Sequence, residues 1–199
     1  MYLKNKILLA FSLTVMLYGC VTTKLPDASQ HYNPNDSARI RLFGQNGRPS
    51  IMVVQIGKDT DAKSVEVNVG GGLGDAFGSL LLMSKNESIG IAETESTRNL
   101  ASKNGILSKA FYREFVIPAG KQVKVRNAFI GLTSVNSNPV TGRTIVQSQS
   151  NCTSDTVFFT PQAGKDYEVG FINGKTCTAM VFEVQTIEGE TTLVPIQAQ

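Results

Sequence analysis

Few residues of this sequence could take part in nucleophilic or acid–base chemistry. A nucleophilic hydrolase needs a nucleophile, a base and an orienting group that meet in space. The single histidine, His31, lies in a polar stretch between two prolines, where we expect a solvated linker residue. A Ser-Lys pair stays open as an alternative, but no Ser-x-x-Lys begins a convincing helix. We therefore expect a protein that is not an enzyme.

The sequence also offers few carboxylate pairs or clusters of metal ligands that are suited to catalysis or metal binding. The paired carboxylates Glu93/Glu95 and Glu188/Glu190 lie in polar runs, which favours solvated loops over a general acid and base. Zinc requires a cluster of Cys and His, and calcium a dense loop of Asp and Asn. The sequence contains neither pattern, so we expect no metal and no cofactor.

A glycine run followed by an apolar segment, residues 65–83 (VEVNVGGGLGDAFGSLLLM), could bind phosphate, lie on a membrane or cover a core. The run matches neither G-x-G-x-x-G nor G-x-x-x-x-G-K-[ST], and Lys85 is misplaced for a phosphate loop. The apolar positions that follow have the spacing i, i+4, i+7 and i+8, which predicts one face of a short helix that begins near Asp75. These positions are Leu73, Phe77, Leu80 and Leu81.

We expect this helix to close an open end of the domain with its apolar face. The first alternative is an interaction site, in which Gly74 and Gly78 allow a partner's backbone to approach. The residues that could contact the partner are then Gly70, Gly72, Leu73, Phe77 and Leu80. The second alternative is that the apolar face lies on a membrane.

The N-terminus has the pattern of a secretion signal. Lys4 and Lys6 precede an uncharged apolar run at 7–17, which is shorter than the roughly 20 residues of a membrane-spanning helix. The sequence Leu-Tyr-Gly-Cys, ending at Cys20, then resembles the lipobox of bacterial lipoproteins, although Tyr18 stands where that family usually has a small residue.

The resemblance implies that Cys20 receives a diacylglycerol on its sulfur, that residues 1–19 are removed, and that the new amino group is acylated. Two or three acyl chains hold a protein firmly on a membrane. Val21, rather than Asp, follows the cysteine, which by the sorting rule of Gram-negative lipoproteins implies the outer membrane. The alternative is an ordinary signal peptide that is cleaved elsewhere.

If Cys20 carries lipid, Cys152 and Cys177 are left, and in an oxidising periplasm this pair indicates a disulfide. Two free thiols or half of a metal site are the alternatives. Loss of Lys4 and Lys6 lowers the Lys and Arg count from 19 to 17 against 16 Asp and Glu, so the net charge falls from +3 to +1. A nearly neutral chain lacks the basic surface that nucleic-acid binding requires.

Residues 20–36 form a polar tether, and 37–199 are expected to form one domain. Short alternating or β-branched runs separated by turn residues predict strands at 38–43, 51–56, 64–69, 111–117, 122–130, 144–148, 156–160, 167–172, 178–186 and 192–195. Asn173-Gly174 is the strongest hairpin signal between them. Many short strands with little helical periodicity predict an all-β protein, an antiparallel β-sandwich with one short helix in the glycine-rich insertion.

Two segments repeat a strand, a Pro, a Gly-Lys and a second strand: FVIPAGKQVKV at 115–125 and FFTPQAGKDYEV at 158–169. We predict two similar hairpins. With the flanking cysteines, they make the region 111–183 similar to small bacterial lipoproteins built on a prealbumin-like or immunoglobulin-like sandwich, most of which have no assigned activity.

Two alternating basic pairs, Arg39/Arg41 and Lys124/Arg126, are each expected on one face of a strand. Both faces should then be exposed to solvent, either as bland surface or as a patch for anionic glycans or lipid headgroups.

We expect a lipid-anchored cell-envelope protein of the outer membrane, facing the periplasm, that serves another envelope protein as a scaffold or adaptor. The alternative is a binder of a glycan, a small ligand or a foreign hydrolase such as lysozyme, because small disulfide-bonded lipoproteins include inhibitors of that enzyme. Lys124 and Arg126, or the loop at 70–74, would supply the contacts.

Overall fold

The structure is a computed structural model that describes residues 31–57, 62–72, 84–105, 108–131, 133–137, 141–148, 150–170 and 177–197, with the backbone alone at 133–137, 147 and 148. The strands are β1 (Ser37–Gly44), β2 (Ser50–Ile56), β3 (Lys63–Val69), β4 (Phe111–Pro118), β5 (Val123–Phe129), β6 (Thr133–Ser137), β7 (Thr144–Ser148), β8 (Cys152–Thr153), β9 (Val157–Phe159), β10 (Asp166–Val169), β11 (Val181–Ile187) and β12 (Glu190–Pro195). A one-turn helix, α1 (Glu95–Arg98), and a 3-10 helix (Leu100–Lys103) precede β4.

The strands form two sheets that pack against each other, so the prediction of an all-β sandwich is confirmed. The first sheet has the order β12-β11-β10-β1-β4. The second sheet has the order β3-β2-β5-β8, and β9 pairs with β5 next to β8. Strands β6 and β7 form a separate two-stranded ribbon.

One pairing departs from the predicted antiparallel arrangement, because β1 and β10 run parallel at the centre of the first sheet. A parallel pair cannot be joined by a short hairpin. Here the two strands are separated by more than a hundred residues of chain, so the long connection that a parallel pair requires is present. The alternation of side chains along a strand is the same for both kinds of pairing, which is why the sequence pattern did not distinguish them.

The hydrophobic core lies between the two sheets. Alternate residues of β1, β2, β3, β4, β5 and β10 point inwards and are buried, as period-two alternation predicts. Each fully buried Val, Leu, Ile, Met or Phe contributes roughly 1.5–3 kcal/mol relative to an exposed one. The core side chains include Ala38, Ile40, Leu42, Met52, Val54, Val67, Phe115, Ile117, Val123, Val125, Phe159 and Tyr167.

The two Pro-Gly-Lys segments are not hairpins, which corrects the prediction from their repeat. Each one carries the chain from one sheet to the other: β4 and β10 belong to the first sheet, whereas β5 and β9 belong to the second. The two crossings lie side by side, since the Gly120 N–H donates to the Pro161 carbonyl at 2.8 Å. A turn within a sheet and a turn between sheets use the same proline and positive-φ glycine, so the turn chemistry alone could not tell them apart.

The two ends of the sandwich carry different connections. At one end, here called the tether end, residues 33–36 lead into β1, and the short connections 57–62, 119–122, 160–165 and 188–189 join the strands. The opposite end is here called the distal end. It contains the strand ends that flank the long connections 70–110, 130–151 and 170–180. The strand directions decide this arrangement. Strands β1, β3, β5, β10 and β12 run away from the tether end, whereas β2, β4, β9 and β11 run towards it.

Two cross-links fasten the sheets together at the distal end. A disulfide joins Cys152 of β8 to Cys177, with the two Cα atoms 5.8 Å apart, as the sequence predicted. Nearby, the fully buried amide of Asn127 in the second sheet donates to the carbonyls of Gly170 and Thr178, both at 2.9 Å. The connection between β10 and β11 is therefore held to the second sheet by one covalent bond and two hydrogen bonds.

Each predicted strand overlaps an observed one, whereas β6, β8 and α1 were not predicted. The predicted helix near Asp75, together with Leu73, Phe77, Leu80 and Leu81, lies outside the described residues, as do the hairpin signal at Asn173-Gly174, the signal segment 1–19 and Cys20. The helix in the glycine-rich insertion therefore stays a prediction.

Candidate functional site

The most unusual site of the molecule is a buried ionic cluster on the outer face of the first sheet, made of Arg41, Glu114 and Glu168. The Arg41 side chain is 1% exposed and both carboxylates are 0% exposed. Arg41 donates from Nε and Nη2 to Glu114 Oε1 at 3.0 and 2.7 Å, and from Nη1 to Glu168 Oε2 at 2.8 Å. One guanidinium thus bridges two carboxylates that the chain separates widely.

The strand pairing explains how the three residues meet. In the antiparallel pair of β1 and β4, Arg41 lies opposite Glu114, and in the parallel pair of β1 and β10 it lies opposite Glu168. Residues opposite each other on adjacent strands point to the same face. The cluster is therefore a direct result of the strand order β10-β1-β4.

A segment that precedes β4, residues 84–104, covers this face of the sheet and is called the cover segment below. Glu114 Oε2 accepts three consecutive backbone N–H groups of the segment, from Ile89 at 2.6 Å, Gly90 at 3.1 Å and Ile91 at 3.2 Å. Arg41 Nη2 donates to the Ile91 carbonyl at 2.9 Å. The charged side chains Arg41 and Glu114 thus form the hydrogen bonds that a neighbouring strand would otherwise provide to the backbone of the cover segment.

The cover segment continues into α1 through a side chain that also touches the cluster. Thr94 is the N-cap of α1 and forms a capping box with Thr97. Its hydroxyl donates to Glu168 Oε2 at 2.8 Å and accepts the Thr97 N–H at 3.4 Å. Because a hydroxyl can donate and accept at once, one threonine starts the helix and binds it to the sheet.

A second ion pair lies next to the cluster on the same face. Arg39 forms a two-pronged bond with Asp166, from Nε to Oδ1 and from Nη2 to Oδ2, both at 2.7 Å. This hydrogen bond is the main reason why the pKa of the Arg39 guanidinium is raised above its ordinary value, against the opposing effect of burial. The pair is partly exposed and marks the edge of the covered area.

The expectation that Arg39 and Arg41 form an exposed basic face is therefore wrong. Alternation correctly placed both side chains on one face, but that face is covered by the cover segment and neutralised by acidic partners. The partners Glu114 and Glu168 were not recognised in the sequence. The available signal was Glu168 between the apolar neighbours Tyr167 and Val169, since burial of a lone carboxylate requires a partner.

The other basic pair, on the outer face of the second sheet, is exposed as predicted. The Arg126 side chain is 42% exposed and lies 3.9 Å from Glu66, while the Lys124 ammonium lies 5.5 Å above the ring of Phe158. A hollow of about 190 Å³ is lined by Lys124, Arg126 and the acidic Glu66, together with Ile51, Val53, Val125 and Thr156.

The described part of the glycine run has a structural role. Gly70 is buried with φ +94°, and a Cβ there would come within 2.7 Å of the Gln45 backbone nitrogen. Gly70 therefore allows the ends of β1 and β3 to approach each other inside the domain. Gly72 is partly exposed.

Several smaller findings complete the account of the predicted site residues. His31, Glu93, Glu95, Glu188 and Glu190 are exposed. No three His, Cys, Asp or Glu side chains of the described ranges are placed to hold a metal ion. Within the same ranges, none of the helices has the length and apolarity needed to cross a membrane.

Comparison with known protein families finds no family that matches the chain, and comparisons with curated proteins and with solved structures also find no match.

Proposed function

We propose that this protein is a lipid-anchored adaptor of the cell envelope, attached through Cys20 to the periplasmic face of the outer membrane, and that it presents its distal end to another envelope protein. The observation that carries the proposal is the separation of the two ends of the sandwich. The chain reaches β1 from the tether at the end with the short connections, while the long connections depart from the other end. An anchor in the membrane would leave the distal end of the sandwich pointing away from the lipid.

Apolar side chains exposed on the long connections support a protein as the partner. Ile130, Ile145, Val146 and Met180 are each at least half exposed. Ile145 and Val146 are adjacent in β7, so they point to opposite faces of the ribbon, and neither is covered. A two-stranded ribbon alone is only marginally stable in water, and a protein that pairs with it or packs on it would bury both residues.

The anchor is tested first, with the variant Cys20→Ser. The thiol is the only acylation nucleophile in the Leu-Tyr-Gly-Cys motif, so the variant should accumulate as an uncleaved precursor or be released in soluble form. The measurement is fractionation of a Gram-negative host that expresses the full chain. Mature Cys20→Ser protein that stays with the membranes after salt washing would show that the lipidation hypothesis is wrong.

The adaptor hypothesis is tested by crosslinking in living cells with a photoreactive amino acid at single positions. Ile145 on the ribbon is the test position, and Gln162, an exposed residue at the tether end, is the matched control. We expect a discrete protein adduct at position 145 and none at 162. Equal adducts at both positions, or none at 130, 145, 146 and 180, would argue against a partner at the distal end.

A second candidate function is binding of an anionic glycan or of a foreign hydrolase of the lysozyme type. The observation that favours it is the exposed hollow lined by Lys124 and Arg126 on the second sheet. Inhibition of lysozyme by micromolar protein, and its loss in the double variant Lys124→Ala/Arg126→Ala, would support the hydrolase version. If lysozyme lyses bacterial walls equally well in the presence of micromolar protein, the hydrolase version is wrong.

A further inference from the structure

A second site lies beside the ionic cluster, where the cover segment ends and leaves part of the first sheet uncovered. A cavity of about 290 Å³ opens there between α1, the 3-10 helix and strands β10 to β12. This volume is at the lower limit of the range for small-molecule pockets, roughly 300–1,000 Å³. Its walls are Phe43, Leu100, Gly170, Phe182 and Leu193 on the apolar side, and Glu95, Ser96, Asn99, Lys103 and Glu168 on the polar side.

Glu168 is the member of the cluster that lines this cavity. The residue is 0% exposed, and its Oε2 atom is occupied by Arg41 and Thr94 at 2.8 Å each. Its Oε1 atom is buried and has no hydrogen-bond partner within the part of the chain that the structure describes. A buried carboxylate oxygen without a hydrogen-bond donor is energetically costly. Because Glu168 lines the cavity, a ligand bound there is the candidate for the missing donor.

The charges of the cluster indicate which kind of donor fits. Glu114 and Glu168 together carry two formal negative charges, and Arg41 carries one positive charge. Glu114 has several hydrogen-bond donors, because it also accepts three backbone N–H groups. Glu168 has no backbone donor among its described bonds. The excess negative charge therefore falls on the carboxylate that faces the cavity.

The remaining charged groups of the cavity do not reverse this sign. Glu95 and Lys103 both line it, on α1 and on the 3-10 helix, and their formal charges offset each other. The nearby pair of Arg39 and Asp166 is balanced within itself. A positive group in the cavity would thus meet one uncompensated carboxylate.

We propose that this cavity binds a small organic cation through an ammonium group that donates to Glu168 Oε1. The apolar part of the ligand would rest against Phe43, Phe182 and Leu193, which supply an aromatic and aliphatic wall. Arg41 and Thr94 already fix the orientation of the Glu168 carboxylate in the free protein, and this favours binding. The site is independent of the adaptor function, since it lies on the covered face of the first sheet and not on the ribbon.

The test uses n-butylammonium as the probe and the purified full-length protein in detergent micelles. The methyl groups of Leu100 and Leu193 line the cavity, so their NMR resonances report occupancy. We expect n-butylammonium to shift both resonances in a saturable manner. The neutral probe 1-butanol should bind about 10- to 100-fold more weakly, the range for loss of a charge-assisted hydrogen bond, and butanoate should not bind.

Two variants connect the binding to the residues proposed. Glu168→Gln keeps the shape of the side chain but removes its charge, and should weaken n-butylammonium at least about tenfold while leaving 1-butanol unchanged. Ser96→Phe would fill the cavity from the partly exposed side of α1 and abolish binding of both probes, which decides the question if Glu168→Gln does not fold. The proposal is overturned if n-butylammonium causes no saturable shift, if 1-butanol binds equally well, or if binding survives either variant.

Discussion

Each of the two sheets carries a pair of alternating basic residues, and the two pairs lie in opposite environments. Arg39 and Arg41 alternate on the first sheet as Lys124 and Arg126 do on the second. On the first sheet, Arg41 is buried beneath the cover segment with two carboxylates, while on the second sheet Arg126 is partly exposed, 3.9 Å from Glu66. Alternation therefore determines the face that a charged side chain occupies, and the rest of the chain determines whether that face is covered.

The largest difference between the sheets should appear when one arginine is removed from each. Arg41→Ala leaves two buried carboxylates without their counter-ion, so we expect a loss of about 3–5 kcal/mol in the free energy of unfolding. The matched variant Arg126→Ala should change it by no more than about 0.5 kcal/mol. Urea unfolding of the purified variants measures both values. Similar losses in the two variants would remove the distinction between the sheets.

The two sheets also depend on the disulfide that joins them at the distal end. Replacement of both Cys152 and Cys177 by Ala opens a loop with a sequence separation of 25 and should cost about 3 kcal/mol in the chain-entropy account. Thermal unfolding with and without reductant provides the measurement. Reduced wild-type protein should melt at the same temperature as the double variant. If reductant leaves the melting temperature of the wild type unchanged, the disulfide between Cys152 and Cys177 is contradicted.

A smaller effect should separate the cover segment from the sheet beneath it. Glu114→Gln removes the charge that accepts the backbone N–H groups of Ile89, Gly90 and Ile91, and we expect a loss of about 1–3 kcal/mol. Amide hydrogen exchange should accelerate at these three positions. Glu66→Gln, beside Arg126 on the second sheet, is the control and should leave exchange unchanged. Full protection of the three amides in Glu114→Gln would mean that the cover segment is held by other contacts.

A small effect is also expected at the exposed lysine of the second sheet. Lys124→Ala removes one contact between an ammonium group and the Phe158 ring, for which we expect at most about 0.5–1 kcal/mol. Chemical unfolding at low and high salt checks the value and its electrostatic part. A loss comparable to that of Arg41→Ala would show that the outer face of the second sheet is covered in solution.

The same distinction explains why the ionic cluster could not be predicted. The sequence shows Glu168 and Arg41, each between two apolar neighbours, but not that they meet. Their contact depends on β1 lying between β4 and β10, and β10 is a parallel neighbour from a distant part of the chain. Long-range pairing leaves no local signature, because each strand has the same alternation whatever its neighbour.

The sequence by itself determined the elements that depend on nearby residues. Period-two alternation located the strands, because successive side chains of a strand point to opposite faces. Glycine and proline located the turns, because they restrict or extend the allowed φ. The pair Cys152 and Cys177 followed from assigning Cys20 to lipid, and the structure joins the two.

Only the tertiary structure decided which strands pair, which face is covered and where charge is buried. The two Pro-Gly-Lys segments cross between the sheets and do not turn within one, since the strands on either side of each segment pair with neighbours in different sheets. Arg41 is buried rather than exposed, because two carboxylates and the cover segment together compensate for the water that its guanidinium loses. These outcomes depend on contacts between residues far apart in the chain, which no local pattern of residues contains.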